Sequence, residues 1–489
     1  MKNRVVVLGA GVAGHTASSY LRKGLGKDYE VVVVTPNSDY NYIPSNIWVG
    51  TGRMHHKRVH FPLAPIYKKA GIDYRQAKAV TFHPEGDRET EKPYVVIEYT
   101  AGDKQGKQEK LTYDYLVNAT GPKLNFNGTE GLMPGTNKVV SVCSWKHADE
   151  AAKELKKIIE RLKNGEKLKI LIGLGHPMAT CQGAAFEYVL NVEHELRRQK
   201  VRDNAEIFFI TNENKSGEFG VGGMSMEIPT VLELLTGEDL GRILFEDRGI
   251  TAIEQAGVYK VEDGKAYYEN IAGEYKTQDF DFAMLIPQFT GHGFKAYDKN
   301  NQDITDKLFA PNGFMKVDAD YTSKPYEEWS VKDWPDTYQN PYYKNIFAPG
   351  IAFAPPHTMS KPNISKNGTT IFPTPPRTGM PSGISARVVA DNIIHMAKNN
   401  TDELVHKANM GNLGAICVAS AGYGWKNGSA ISMTMFPIVH DYNRYPELGR
   451  QRNLTTGQMG LAGHWIKYAL HVLFKYKAKL KPFWWLIPE

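Results

Sequence analysis

Short apolar runs that end in a tight turn alternate with stretches of helical pattern along this chain. The first run, Val5–Leu8, leads into a predicted helix from about residue 12 to residue 23, and a second strand is predicted at Glu30–Val34. Continuous apolar strands separated by helices are typical of a parallel sheet that is covered on both faces. The pattern therefore predicts an α/β fold.

The turn between the first strand and the first helix has the GxGxxG spacing of dinucleotide-binding folds. Gly9 permits the tight turn, Gly11 lets the backbone approach a pyrophosphate, and Gly14 lets helix and strand pack closely. The amides at the helix N-terminus can then bind phosphate. The acidic residue expected after the second strand is Thr35 in this chain, so the ribose contact must come from Thr35, a neighbour or the backbone.

Two later segments favour FAD over NAD at this site. Asp114–Gly121 reads as a strand that ends in a small-residue turn, and this turn resembles the Ala-Thr-Gly turn of flavoproteins with two dinucleotide-binding domains. Asn345–Gly350 resembles their last FAD-contacting strand, although Ile351 replaces the usual aspartate. The predicted cofactor contacts in these segments are Ala119, Thr120, Gly121 and Gly350.

A second nucleotide-fold module begins at the apolar run Leu168–Gly175. Met178 stands where the third glycine would fall, and Pro177 removes an amide that could hold phosphate. The next strand, Phe208–Thr211, again lacks a terminal acidic residue. We therefore expect this module to keep the fold without its nicotinamide site, so that electrons come from a donor other than NADH.

The last part of the chain changes character. His464–Tyr476 reads as an amphipathic helix in which Lys467, His471 and Lys475 share one stripe, and further lysines and two adjacent tryptophans follow. We expect the rings to enter the headgroup region of a membrane and the ammonium groups to reach anionic lipid. The alternative is a helix that packs on the protein's own core.

These elements predict two Rossmann-like dinucleotide-binding domains and a C-terminal membrane-attachment region. The expected boundaries are residues 1–150 and 281–400 for the two parts of the FAD-binding domain, 151–280 for the second nucleotide-fold domain, and 401–489 for the quinone and membrane region.

Net charge and the length of the apolar stretches exclude further classes of protein. The net charge of +6 and the pI of about 8.8 form no nucleic-acid-binding signature. No stretch reaches the roughly 18 apolar residues of a membrane-spanning helix, and the first strand starts so early that no cleavable signal peptide is expected. We therefore expect a monotopic membrane protein, with the leaflet left open.

The chain contains three cysteines, Cys143, Cys181 and Cys417. No two of them form a CxxC, which excludes a thioredoxin-like motif and a four-ligand zinc knuckle, and no metal site is predicted. Either a distant pair meets in the fold, or the three are unrelated buried thiols.

With these motifs the chain resembles the sulfide:quinone oxidoreductases, membrane-associated FAD enzymes of the disulfide-reductase superfamily. The resemblance spans the whole chain and is carried by the glycine turn, the three cysteine contexts and the basic-aromatic tail. Its specific segments are Gly9–Gly14, Cys143 with His147, Cys181–Glu187, Pro376–Gly379 and Ile416–Cys417.

The resemblance implies a role for each of these positions. Cys181 and Cys417 would form the redox disulfide, and Cys143 would be either tethered covalently to FAD or a free thiol. Glu187 and His147 would handle protons. The cofactor would also contact Arg377, Thr378 and Gly379, with the arginine beside the pyrimidine edge. The quinone would contact Ile416 and Phe474.

The implied function is oxidation of hydrogen sulfide to polysulfide or elemental sulfur, with two electrons passed to a membrane quinone. A type II NADH:quinone oxidoreductase, the flavin subunit of a sulfide:cytochrome c dehydrogenase and a non-catalytic redox sensor remain alternatives, and a homo-oligomer stays open.

Two departures from the family stand out. Its glycine-flanked histidine is replaced in Gly217–Gly223, so Glu218 or His176 would have to cover any proton role. Residues 357–374 form a longer segment than usual, with the composition of a surface loop that alters access to one of the sites.

Overall fold

The structure, a computed structural model, describes residues 3–219, 225–226, 235–359, 361–375 and 379–489. In chain order the helices are α1 Val12–Leu25, α2 Asn46–Gly50, α3 Ala64–Ala70, α4 Trp145–Lys163, α5 Gln182–Arg198, α6 Gly237–Glu246, α7 Thr305–Leu308, α8 Gly379–Asn399 and α9 Leu461–Ala478.

The strands up to the end of the second sheet are β1 Asn3–Leu8, β2 Tyr29–Thr35, β3 Asp39–Asn41, β4 His60–Pro62, β5 Asp73–His83, β6 Tyr94–Tyr99, β7 Gln108–Thr112, β8 Tyr115–Asn118, β9 Lys123–Asn125, β10 Val139–Val140, β11 Leu168–Leu174, β12 Ala205–Ile210, β13 Ser225–Met226, β14 Leu235–Thr236, β15 Ile250–Ile253, β16 Ala256–Glu262, β17 Lys265–Asn270, β18 Tyr275–Asp279 and β19 Phe282–Ile286. The later strands are β20 Gln288–Thr290, β21 Lys295–Ala296, β22 Ile346–Phe347, β23 Ala415–Ser420, β24 Ala430–Met435 and β25 Thr456–Gly460.

The first module is built on a sheet with the strand order β22-β8-β1-β2-β5-β6-β7. Its central strands are parallel, and Val5–Leu8 and Val31–Val34 are buried, as the continuous apolar runs predict. The helices α1 and α8 pack against each other. Because parallel strands end at one edge, the turns after β1, β8 and β22 lie together there. The α/β fold is confirmed.

The second module has a parallel sheet with the order β10-β19-β11-β12-β15. Its edge strand β10 and the adjacent inner strand β19 lie outside the expected range 151–280. The antiparallel strands β16–β18 follow β15 in the chain. Both α4 and α5 belong to this module, and α5 packs on β11.

The C-terminal region is a three-stranded antiparallel sheet of β23, β24 and β25, on which α9 packs. The predicted helix at His464–Tyr476 lies within α9. Among the described residues, every helix is too short or too polar to traverse a bilayer.

The orientation of α9 differs from the expectation. Lys467, His471 and Lys477 face the protein interior, so the expectation that the lysines of this region reach lipid is wrong for two of them. Each finds an acceptor inside: Lys467 donates to Glu187 and Lys477 to Glu489. The outward face is apolar and consists of Trp465, Ile466, Ala469, Val472, Leu473 and Tyr476.

Candidate active site

The glycine turn after β1 leaves room at one of its three glycines. A Cβ at Gly9, whose φ is +95°, would collide with the carbonyl oxygen of Ala119, and a Cβ at Gly14 would collide with that of Gly9. A Cβ at Gly11 would meet nothing within 4 Å. Close packing therefore requires two of the glycines, while the third faces open space at the N-terminus of α1.

The neighbouring turns frame the same space. Gly121 has a φ of +69° and also faces open space. Gly350 has a φ of +72°, and its N–H donates to the Ser385 hydroxyl at 3.0 Å. The ends of β1, β8 and β22 thus surround one space beside the N-terminus of α1, and the turns after β1 and β8 leave it open. This arrangement can accommodate the pyrophosphate of FAD.

Two of the other predicted cofactor contacts, Thr35 and Thr120, form hydrogen bonds within the protein, and two more lie outside the described residues. Thr35 is buried at the end of β2, where its hydroxyl accepts a hydrogen bond from the Asn37 N–H at 3.3 Å. The Thr120 hydroxyl donates to Asn118 at 2.8 Å. Gly379 begins α8, whereas Arg377 and Thr378 lie outside the described residues.

Cys181 is the N-cap residue of α5 and adopts a left-handed backbone conformation, with φ +74° and ψ +37°. A non-glycine residue in this region is uncommon, because its Cβ crowds the backbone. Cys181 is partly buried, as are Cys143 and Cys417, and all three are thiols in the structure.

Cys417 lies in β23, which packs directly against α5. Two side chains of α5 bind β23 at Ser420, three residues beyond Cys417. The Ser420 hydroxyl donates to the Glu187 carboxylate at 2.6 Å, and the Asn191 amide donates to the Ser420 carbonyl at 2.7 Å. Glu187 also accepts from the Lys467 ammonium, which donates in addition to the Val418 carbonyl at 2.9 Å.

The direction of the α5–β23 contact bears on the two cysteines. Glu187 meets Ser420, and the His194 ring, further along α5, lies beside Gly422, so helix and strand run the same way. Cys181 precedes Glu187 by about 9 Å of helix rise. Cys417 precedes Ser420 by about 10 Å of strand. Both cysteines therefore lie at the same end of this contact.

The charges around Cys417 oppose each other. Burial raises the pKa of its thiol, the Lys467 ammonium lowers it, and the Glu187 carboxylate raises it further. Lys467 is thus the group that favours a thiolate at Cys417.

Cys143 and His147 lie at the start of α4. Burial raises the pKa of the Cys143 thiol to about 11, although a hydrogen bond with Ser141 opposes the rise. The His147 ring packs edge-on against Phe126 with 5.7 Å between centroids, and burial lowers its pKa.

The remaining predicted residues have different surroundings. Ile416 is 52 % exposed on β23, and Phe474 stacks on Tyr42. His176 accepts from the Met178 N–H at 3.0 Å, and burial lowers its pKa to about 4. Burial raises the pKa of Glu218, whose carboxylate accepts from the Asn214 N–H at 3.2 Å.

The sequence did not identify three residues of this site, Ser420, Trp48 and Lys467. The Trp48 indole donates to the Ser420 hydroxyl at 3.0 Å, and the Lys467 ammonium lies 5.5 Å from the centroid of the Trp48 ring. The four-residue spacing of Lys467 and His471 showed that they share a face of the helix. It could not show that this face is the buried one.

Comparisons with known proteins agree with this geometry. The family described as "Pyridine nucleotide-disulphide oxidoreductase" matches residues 3–172. The sulfide-quinone reductase of Aquifex aeolicus (strain VF5) is 29% identical over 480 residues, which are 98% of this chain and 92% of that protein.

Solved structures give a similar result. The sulfide:quinone oxidoreductase of Aquifex aeolicus has a TM-score of 0.73 and 27% identity, and the match covers 98% of this chain and 91% of that one. NDH2 from Plasmodium falciparum in complex with NADH has a TM-score of 0.62 at 14% identity, with 98% and 96% covered, and shows the fold alone. Over nearly its whole length, the chain is therefore similar to sulfide:quinone oxidoreductases.

Proposed function

We propose that this protein oxidises hydrogen sulfide and transfers the two electrons to a membrane quinone. The observation that carries the proposal is the α5–β23 contact, which puts Cys181 and Cys417 at one end with Glu187 and Lys467 beside them. The similarity to a sulfide-quinone reductase over 98% of the chain and the room for FAD beside the glycine turn support the same activity.

Cys181 and Cys417 form the sulfur-handling pair. In the oxidised protein they are joined by a disulfide, which hydrosulfide attacks. The new S–S bond makes a persulfide on one cysteine, and the old bond breaks to leave a thiolate on the other. Each further sulfide would lengthen the chain by one sulfur only as two more electrons pass through bound FAD to the quinone, and polysulfide or elemental sulfur then leaves.

Lys467 and Glu187 supply the charges for this step. The ammonium stabilises the thiolate that forms on Cys417, and the carboxylate takes up the proton that sulfide releases. Ser420 holds the carboxylate in place. His147 packs on Phe126, so Glu187 is the better placed of the two predicted proton acceptors.

FAD would be held by Gly9, Gly11 and Gly14, by the turns at Ala119–Gly121 and Gly350, and by the N-termini of α1 and α8. The chemistry that it supplies when bound is acceptance of two electrons from the sulfur pair and their transfer to the quinone. Cys143 is the residue for a covalent attachment.

The outward face of α9 attaches the protein to the membrane surface. Its apolar side chains continue past the helix in Phe483 and Leu486, both largely exposed, while Lys479 and Lys481 lie at the rim. Trp425 packs against Trp465 with 5.4 Å between centroids and extends this face. A lipid-soluble quinone can then enter from the bilayer beside Ile416.

Anaerobic mixing tests the proposal. Sulfide should bleach the yellow FAD-loaded protein, and decylubiquinone should restore the colour. NADH, the donor for the alternative activity, should leave the colour unchanged. A protein that sulfide leaves yellow, or that NADH bleaches, contradicts the proposal.

A further inference from the structure

Residues 361–375 cover the carboxyl edge of the second sheet, where a parallel-sheet fold binds its dinucleotide. The expected surface loop is only partly exposed, since Ile371 and Phe372 are buried. Ile371 lies against Gly257, next to Pro177, and the Asn363 amide donates to Asn214 beyond the end of β12. Segment 361–375 thus fills part of the cleft that a nicotinamide cofactor would use.

The same segment binds the turn that leads to Cys181. The Phe372 N–H donates to the Pro177 carbonyl at 2.9 Å. The Thr180 hydroxyl lies 3.0 Å from the Thr374 carbonyl and 3.1 Å from that of Pro375. In the other direction, the Thr374 hydroxyl donates to the Met178 carbonyl at 3.3 Å.

Side chains of the second module hold this turn from its other side. The Asn212 amide donates to the carbonyls of Pro177 and Ala179, and the Gln182 amide donates to Ala179 and Asn212. The backbone that enters Cys181 is therefore bound on two sides.

This double attachment explains how Cys181 keeps its left-handed conformation. Such a backbone persists only where the surroundings over-determine it. Without the bonds from segment 361–375, one side of the turn would be free to relax, and the direction of the Cys181 side chain would change with φ.

We propose that segment 361–375 is a positioning element for Cys181, with Thr180 as its main link. It aims the sulfur for exchange with sulfide and Cys417, and it occupies a cleft in which other members of the fold bind a pyridine nucleotide. The inference rests on the proposed sulfide oxidation and adds the residues that set its rate.

Single turnover in anaerobic stopped flow tests this role. Thr180→Val removes the buried hydroxyl at nearly constant volume and should slow sulfide bleaching of the FAD-loaded protein about tenfold or more, since small misplacements of reacting groups cost this much. Thr180→Ser restores the hydroxyl and should restore the rate. Reoxidation by decylubiquinone should be unchanged in both variants, because it does not involve the sulfur pair.

Thr369→Val is the matched control, since it removes a similar bond within the same segment, from Thr369 to Glu269 at 2.7 Å, in which no residue of the turn takes part. It should bleach at the wild-type rate. If Thr180→Val fails to fold, Thr374→Val tests the same attachment and should also slow bleaching.

Wild-type bleaching rates in both Thr180→Val and Thr374→Val would overturn the positioning role, as would an equal loss in Thr369→Val. Absence of sulfide bleaching in the wild-type protein would instead overturn the proposed function, so the two failures are distinguishable.

Discussion

Lys467 of α9 and Glu187 of α5 form an ion pair inside the protein, although 280 positions separate them. Their side chains are only 6% and 9% exposed. The pair joins the helix with the outward apolar face to the helix that begins beside Cys181. The proposed membrane helix and the proposed sulfur site thus share one buried contact.

Removing one partner of this pair should destabilise the protein strongly. Lys467→Met leaves the Glu187 carboxylate buried without its cation, and we expect a loss of about 3–5 kcal/mol in the free energy of unfolding. Lys467→Met with Glu187→Met should recover much of that loss but not the rate of sulfide oxidation. Denaturant titration followed by tryptophan fluorescence measures the first effect, and Lys481→Met, at an exposed lysine, is the control.

An acidic residue on the outward face of α9 should weaken membrane binding. Leu473 is 46% exposed, and burial of a leucine in the membrane interface contributes about 1.5–3 kcal/mol. Leu473→Asp should therefore lower the partition into phospholipid vesicles about tenfold or more.

Co-sedimentation with vesicles measures this effect. Tyr275→Asp replaces a ring on β18 that is 64% exposed, more than Leu473, and should bind like the wild type. Equal losses in the two variants would argue against α9 as the membrane-facing element.

Acid should destabilise the docking of α9 through His471. Burial, together with the charges of Lys475 and Arg58, lowers its pKa to about 4, and its Nδ1 lies 2.9 Å from the Ser45 hydroxyl. Because the folded pKa lies below the ordinary value of 6.5, the stabilisation is complete above pH 6.5 and is lost as the pH falls toward 4.

His471→Gln keeps a hydrogen-bonding group for Ser45 but cannot take up this proton. The thermal midpoint of this variant should fall less between pH 6.5 and 4 than that of the wild type. The exposed His406 provides the control, since His406→Gln should leave the pH profile unchanged. A wild-type profile in His471→Gln would contradict the assignment.

Cys143 should carry the FAD if attachment is covalent. After acid precipitation the yellow colour should stay with the wild-type polypeptide and leave with the supernatant in Cys143→Ser. Release of all colour from the wild type would show that Cys143 carries no bond to the cofactor. Its raised pKa would then keep the thiol protonated at neutral pH.

Local signals in the sequence were sufficient for the nucleotide folds. The first strand, the glycine turn and α1 are contiguous, so the spacing of Gly9, Gly11 and Gly14 translates directly into backbone geometry. The second module was found in the same way from the run that forms β11.

Contacts between distant segments could not be predicted. The helical spacing of Lys467 and His471 showed that they share one face of the helix. It did not show which way this face points, which depends on the hydrogen-bonding partners Glu187 and Ser45. The composition of residues 357–374 indicated a surface loop. No local feature of the sequence shows that Phe372 is buried and binds the backbone of Pro177.

The most direct test of the central claim is peptide mapping of the oxidised protein by mass spectrometry without reduction. A single cross-linked pair should join the peptides of Cys181 and Cys417, directly or through added sulfur atoms, and anaerobic sulfide should convert it to separately alkylated peptides. Two uncross-linked peptides in the oxidised protein, or a link from either cysteine to Cys143, would contradict the account.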